Sequence, residues 1–291
     1  MDFNIDRLKR QECIIAQNQK NMSAFKSGGR IENVIYPTSI RGLVSALDYL
    51  YLCGKDWQVV GNGTNVLFPD TKYRKIVICT KKASKFVVDG TLVYASCGAS
   101  LGAVAVECKK LGLSGLERLH GIPATIGGAI AMNASAFGAS IGELVYSVDV
   151  WQEGQVKTIL GKDIDWQYRQ VDLGGAVVLG AQLQTTRSTP VDVTVRGKYY
   201  ADKRERTQPK GITLGSVFKN PDGASAGRLI ERAGMKGYAV GGAVVSDKHA
   251  NFIVNKGGAT SADFVTLAKK VKEQVDKCTG IDLEYEVRIL K

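Results

Sequence analysis

Residues 120–138, HGIPATIGGAIAMNASAFG, constrain this chain more than any other stretch. They hold Gly121, Gly127, Gly128 and Gly138, one proline at Pro123, small Ala and Ser side chains between them, and no charge. An amphipathic helix needs a polar face to set against its apolar one, and this run has none. Glycine serves where main chain turns with positive φ or lies close to a ligand. The composition fits main chain laid along a flat or phosphate-bearing cofactor. It fits a buried contact between small-residue helices equally well.

A second glycine-rich stretch tilts the balance. Gly61, Asn62, Gly63, Thr64 and Asn65 follow a short apolar strand ending at Val60, and such loops gather amides around a diphosphate. The third glycine that opens a helix in a Rossmann fingerprint is missing.

With 291 residues the chain can bury a full core and more than one domain. No apolar run approaches membrane-spanning length, and the charged start MDFNIDRLKRQE has no signal-peptide core. A cytoplasmic protein with no membrane partner is expected. The six cysteines, Cys13, Cys53, Cys79, Cys97, Cys108 and Cys278, form no C-x-x-C pair and read as reduced, mostly buried thiols. Two histidines leave little room for a histidine metal site or a Ser-His triad, so no metal is expected. The net charge of +11 points to anionic partners. Its basic residues lack the stripe interleaved with aromatics that single-strand binders use, so nucleic acid is not the expected partner.

Apolar spacing predicts a helix over 38–54 capped by Thr38, a strand to Val60, and another over 76–78. Asp89-Gly90-Thr91 reads as a hairpin turn, and Ser100 as the start of a helix stopped at Gly112. Further strands are expected at 146–152, 155–159 and 176–183, then a basic helix-like stretch after Pro190. Thr260 and Asp263 form a capping pair for a last helix, and 284–290 reads as a closing strand.

Three polar residues stand apart. Ser216, between Gly215 and Val217-Phe218, would be displayed by a turn, although a turn serine more often bonds its own backbone. Arg169 follows Trp166 and Tyr168 and suits forked carboxylate binding, or simple stacking. Glu286 alternates with Tyr285 and Val287, which would give it a face shared with Glu284 and Arg288.

Taken in order, GNGTN (61–65), GLERLHGIPATIGGAIAMNASAFG (115–138), YR (168–169), GSVFKNP (215–221) and GMKGYAVGGAVVSDKHANFIVN (234–255) resemble the bacterial UDP-N-acetylenolpyruvoylglucosamine reductases. The shorter type, without a tyrosine-bearing loop over the substrate, fits best. The resemblance implies an α+β, three-domain flavoprotein. Subdomains 1–79 and 80–188 would hold FAD in a vanillyl-alcohol-oxidase (PCMH)-type fold, and an α/β substrate domain would span 189–291. It implies that Gly61, Asn62, Gly63, Thr64 and Asn65 cradle FAD together with Gly121, Ile122, Pro123, Thr125, Gly127, Gly128, Asn133, Ser135 and Gly138. Ser216 matches the family's proton donor, Arg169 and Glu286 its other catalytic positions, and Lys219 and Asn220 its substrate contacts. NADPH would supply the hydride, a UDP-sugar would be the small-molecule partner, and the protein would act as a monomer.

The chain departs from the family pattern at Ala124 and Ser135, where glycine is usual, at Phe137 (tyrosine) and at Tyr285 (proline). Positive φ at either former glycine would cost on the order of 1–2 kcal/mol and weaken flavin binding. Two rival readings are a flavin oxidase of the same fold and a non-catalytic polyanion binder.

Overall fold

The computed structural model describes residues 3–291. These pack as two units, each with its own core. Among the described residues, the first comprises 3–17, 33–62 and 75–203, and the second 18–32, 63–74 and 204–291.

In the first unit, Trp57–Val60 and part of Ile31–Pro37 flank Ile76–Cys79 in parallel register. Helix α1 (Ile40–Leu52) provides the crossover between parallel strands, burying Leu43, Ala46, Leu47 and Leu50. Its N-cap is Ser39, whose hydroxyl accepts from the Gly42 amide. The Thr38 hydroxyl instead donates to the Glu12 carbonyl, so the expected cap lies one residue too early.

Beside this layer lies a five-stranded antiparallel sheet, in the order Gln155–Leu160, Val145–Gln152, Val177–Gln184, Leu92–Ser96, Phe86–Asp89. The Asp-Gly hairpin is present, with Asp89 opposite Leu92. Trp151 ties the sheet to α1: its indole donates to Asp48 at 2.7 Å and its ring meets Tyr51 and Trp57 edge-on. Helix α2 (Leu101–Lys110) is capped by Ser100. Helix α3 (Ile126–Ala131) follows, then helix α4 (Pro190–Thr207), whose residues through Lys203 belong to this unit.

The glycine-rich run therefore does contain a helix, but only a six-residue one with four buried positions. It needs no polar face because it is enclosed. Gly127 has no room for a side chain, since an added Cβ would lie 2.8 Å from Cys97 Cβ.

The second unit is an antiparallel sheet in the order Ile212–Ser216, Phe252–Asn255, Ala243–Val245, Ala239–Val240. Two helices, α5 (Ala226–Arg232) and α6 (Ser261–Thr279), bury their apolar faces in its core. Residues from early in the chain complete that core. Phe25 is fully buried edge-on against Phe264, and the Asp70 carboxylate accepts from the amides of Ser261 and Ala262.

The expected Thr260–Asp263 capping box is present in full. Thr260→Ala should cost about 1 kcal/mol, read as a lower urea midpoint at unchanged slope. The closing strand is shorter than expected, only Arg288–Ile289, parallel to Val66–Leu67. Residues 284–287 run alongside 217–219 through isolated main-chain bonds instead of a continuous ladder.

The thiols follow the burial reading. Cys13, Cys79, Cys97 and Cys108 are buried, and desolvation pushes Cys97 up to about 12 and Cys13 and Cys108 up to about 11. Cys53 is half-buried and Cys278 exposed.

Candidate active site

The first two residues of the 61–65 loop are fixed against the glycine-rich run. Asn62 Nδ2 donates to the Pro123 carbonyl at 3.1 Å. Gly61 lies so close to Thr125 that an added Cβ would meet its hydroxyl at 2.3 Å. Thr125 is also the N-cap of α3, accepting from the Gly128 amide. The Ile126 and Gly127 amides donate to the carbonyls of Ala99 and Cys97. The first turn of α3 is thus bonded within the protein. What the run leaves open lies toward its ends, at Gly121 (φ +92°) and Gly138 (φ +76°), both exposed.

The remaining loop residues belong to the second unit. Gly63 sits at φ +66°, and an added Cβ would stand 2.1 Å from the Met22 carbonyl, so only glycine fits. Asn65 Nδ2 donates to the Glu286 carbonyl at 2.9 Å, and the Asn65 carbonyl accepts from the Arg288 amide at 3.0 Å.

Two short hairpins in the first unit build the surroundings of Arg169. One pairs Ser135–Ala136 with Ala139–Ser140 about Phe137 and Gly138, both at positive φ. The other pairs Trp166–Gln167 with Gln170–Val171 about Tyr168 and Arg169, with Arg169 at φ +57°. Three contacts join them. Asn133 is buried, its Nδ2 donating to the Gln167 carbonyl at 2.9 Å and its Oδ1 accepting from the Gly142 amide at 3.1 Å. Arg169 Nη1 donates to the Ser135 carbonyl at 3.0 Å and to the Ser135 hydroxyl at 2.8 Å. Trp166 closes onto Gly142, where an added Cβ would lie 2.6 Å from the indole ring.

A left-handed arginine costs on the order of 1–2 kcal/mol, and these contacts offset it. Gly142→Ala should push Trp166 off its seat. The expected result is a loss of about 1–3 kcal/mol in denaturant unfolding, with a fall in any activity that needs Arg169.

Neither Ala124 nor Ser135 has positive φ, so the penalty expected from replacing glycine there does not arise. The strain falls on Phe137, at φ +52°. Its ring stacks on Tyr200 of α4 at 5.3 Å, with Lys203 Nζ 5.4 Å from its centroid. Arg118 bridges the same corner, donating to the Tyr200 hydroxyl at 3.0 Å and to the Gly138 carbonyl at 3.3 Å. Tyr200, Arg118 and Lys203 were not legible as site-building residues, because nothing in the sequence sets α4 beside the 137–138 turn.

Ser216 ends the strand Ile212–Ser216, where a bulge and Gly215 at φ +81° re-aim the chain. A strand end, and not a turn, presents its hydroxyl. The next residues are pinned on both sides. The buried Asn251 side chain accepts from the Phe218 amide at 3.0 Å and donates to its carbonyl at 2.8 Å. On the other side the Glu286 amide donates to the Val217 carbonyl at 2.8 Å, and the Lys219 amide to the Glu284 carbonyl at 2.8 Å. Ser216 and Glu286 therefore sit on abutting segments of one unit.

Tyr285 stacks on Phe218 at 5.2 Å. Lys219 Nζ bonds the Glu284 carboxylate at 3.2 Å, and Asn220 Oδ1 accepts from the Ala226 amide at the start of α5. A separate cavity of about 160 Å³ between α2 and α4, reached by His120 and Glu117, is smaller than the roughly 300 Å³ at which ligand pockets begin.

Known proteins supply the context for these groups. Residues 31–158 match the family model described as an FAD binding domain, and residues 208–290 that of the C-terminal domain of UDP-N-acetylenolpyruvoylglucosamine reductase. The reductase of Chloroherpeton thalassium is 37% identical over 97% of this chain and 94% of its own length. The chain belongs to the UDP-N-acetylenolpyruvoylglucosamine reductase family.

The Geobacter metallireducens reductase is 36% identical, covering 97% of this chain and 95% of its own. The crystal structure of the Thermus caldophilus reductase superposes with a TM-score of 0.85 at 29% identity, over 97% of this chain and all of that one. As a member of this family, the protein is an FAD-dependent oxidoreductase with the mixed α and β architecture expected. No helix among the described residues is long and apolar enough to cross a membrane.

Proposed function

We propose that the protein reduces the enolpyruvyl ether of UDP-N-acetylglucosamine-enolpyruvate to UDP-N-acetylmuramate, using NADPH through FAD. This would make it a cytoplasmic, monomeric enzyme of peptidoglycan synthesis, serving cell-wall growth and division. Residues 1–79 and 80–188 would act as the flavin-binding subdomains and 189–291 as the substrate domain.

The residues fit the flavin. The run 120–138 is uncharged and small, and Gly121 and Gly138 bare its main chain. Gly61 and Gly63 keep the loop free of side chains where its main chain packs against Thr125 and the Met22 carbonyl. Asn62, Thr64, Asn65, Ile122, Pro123 and Thr125 would line the FAD site with these glycines, Gly127 and Gly128 would seat α3 behind it, and Asn133 and Ser135 would flank it through their main chain. Bound FAD would supply hydride transfer from NADPH to the terminal methylene carbon of the substrate.

The protein's own groups manage the charge and the proton. Adding hydride to the methylene leaves negative charge on the neighbouring carbon and on the carboxylate attached to it. Arg169 would bind that carboxylate and stabilise the charge as it grows, and Glu286 would help to orient the substrate. Ser216 then gives its hydroxyl proton to the carbanionic carbon, completing the lactyl ether. Lys219 and Asn220 hold the nucleotide-sugar. The +11 balance suits three polyanionic ligands.

The reading is supported above all by the bonding of 217–219 to 284–287, which brings the proposed donor and its carboxylate onto neighbouring segments. Stopped-flow absorbance tests it. NADPH should bleach a yellow holoprotein, and the enolpyruvyl UDP-sugar should restore the colour. A colourless protein that binds RNA with steep salt dependence would replace this reading with a polyanion binder.

A further inference from the structure

The Arg169 guanidinium is held by Ser135, whose hydroxyl accepts from Arg169 Nη1 at 2.8 Å while its own carbonyl accepts from the same nitrogen at 3.0 Å. Glycine there would retain the carbonyl contact and lose the hydroxyl. We propose that Ser135 is a positioning residue, its hydroxyl fixing the direction in which Arg169 presents the rest of its fork. The proposal rests on the reading of Arg169 as the carboxylate-binding group.

Arg169 sits at the turn of a two-residue hairpin, next to the exposed Tyr168, whose ring lies 5.3 Å from the guanidinium carbon. A long side chain on a turn keeps many rotamers unless something selects one, and a bidentate contact tolerates little misalignment. The Ser135 hydroxyl adds a second acceptor to the nitrogen that the Ser135 carbonyl also holds, and two acceptors define its direction more closely than one.

Ser135 is itself rigidly placed. It pairs with Ser140 in its hairpin, two residues beyond Asn133, which bonds the arginine's hairpin at the Gln167 carbonyl. At the turn of the Ser135 hairpin, Phe137 and Gly138 are anchored by Tyr200, Arg118 and Lys203.

The test is a mutant cycle read by stopped flow in the FAD-loaded enzyme, with NADPH reduction and substrate-driven reoxidation followed separately. Ser135→Ala should slow reoxidation by about tenfold, the lower end of what one hydrogen bond to a charged group is worth because the carbonyl contact remains, and should slow reduction far less. Ser135→Thr, which keeps the hydroxyl, should recover most of the rate. In an Arg169→Gln background, Ser135→Ala should add nothing further.

The same tenfold loss in both backgrounds, or an equal loss in both half-reactions, would overturn the proposal while leaving Arg169 in its role. So would unchanged reoxidation in Ser135→Ala beside a severe Arg169→Gln defect. Near-normal reoxidation in Arg169→Gln would remove the arginine from the chemistry and Ser135 with it.

Discussion

Ser216→Ala is expected to bleach normally with NADPH and then to recover its colour about 10²–10⁴ times more slowly when substrate is added, the range typical of a lost general acid. The asymmetry follows from where the proton is needed. Reduction by NADPH requires no proton on the substrate carbon, whereas completion of the lactyl ether does. The fold should tolerate the change. Ser216 is the last residue of its strand, and the next turn is held by Asn251 and by the Glu286 and Lys219 amides, not by the serine hydroxyl. Equal slowing of both half-reactions would contradict the donor role.

Arg169→Lys is expected to lower turnover on the order of 10²-fold, through reoxidation again. The arginine uses Nη1 on Ser135, and its planar fork can meet a carboxylate with other N–H groups in a fixed geometry. An ammonium is a single compact donor on a different stem. It cannot hold the Ser135 acceptors and pair side by side with a carboxylate. Each charge-assisted hydrogen bond lost is worth about 1.5–3 kcal/mol, so one or two account for the factor. Turnover near that of the unaltered enzyme would strike Arg169 from the mechanism.

Much of this was legible in the sequence because it depends on neighbours a few residues apart. The Thr260–Asp263 capping box, the Asp89-Gly90-Thr91 hairpin and the Ser100 cap are local patterns, and all three are present. The start of α1 was misread by one residue because Thr38 and Ser39 are both good caps. The fold separates them: the Thr38 hydroxyl is taken by the Glu12 carbonyl, while the Ser39 hydroxyl accepts from the Gly42 amide. The reach of the closing strand was overestimated for a related reason. Alternation in 284–290 signals an extended chain, but ladder bonds need a continuous partner, and 217–219 offers only isolated ones.

The sequence determined the glycine-rich character of residues 61–65 and 120–138, the capped helices, the ordered motifs and through them the family. It could not show that residues 18–32 and 63–74 pack with 204–291, because the burial of Phe25 against Phe264 and the Asp70 bonds to α6 join positions far apart in the chain. Nor could it show that Ser135 avoids positive φ, that Phe137 carries the strain, or that Arg169 is gripped across two hairpins. Backbone angle and side-chain aim at those positions are set by nonlocal partners. Only the folded chain brings such partners within hydrogen-bonding distance.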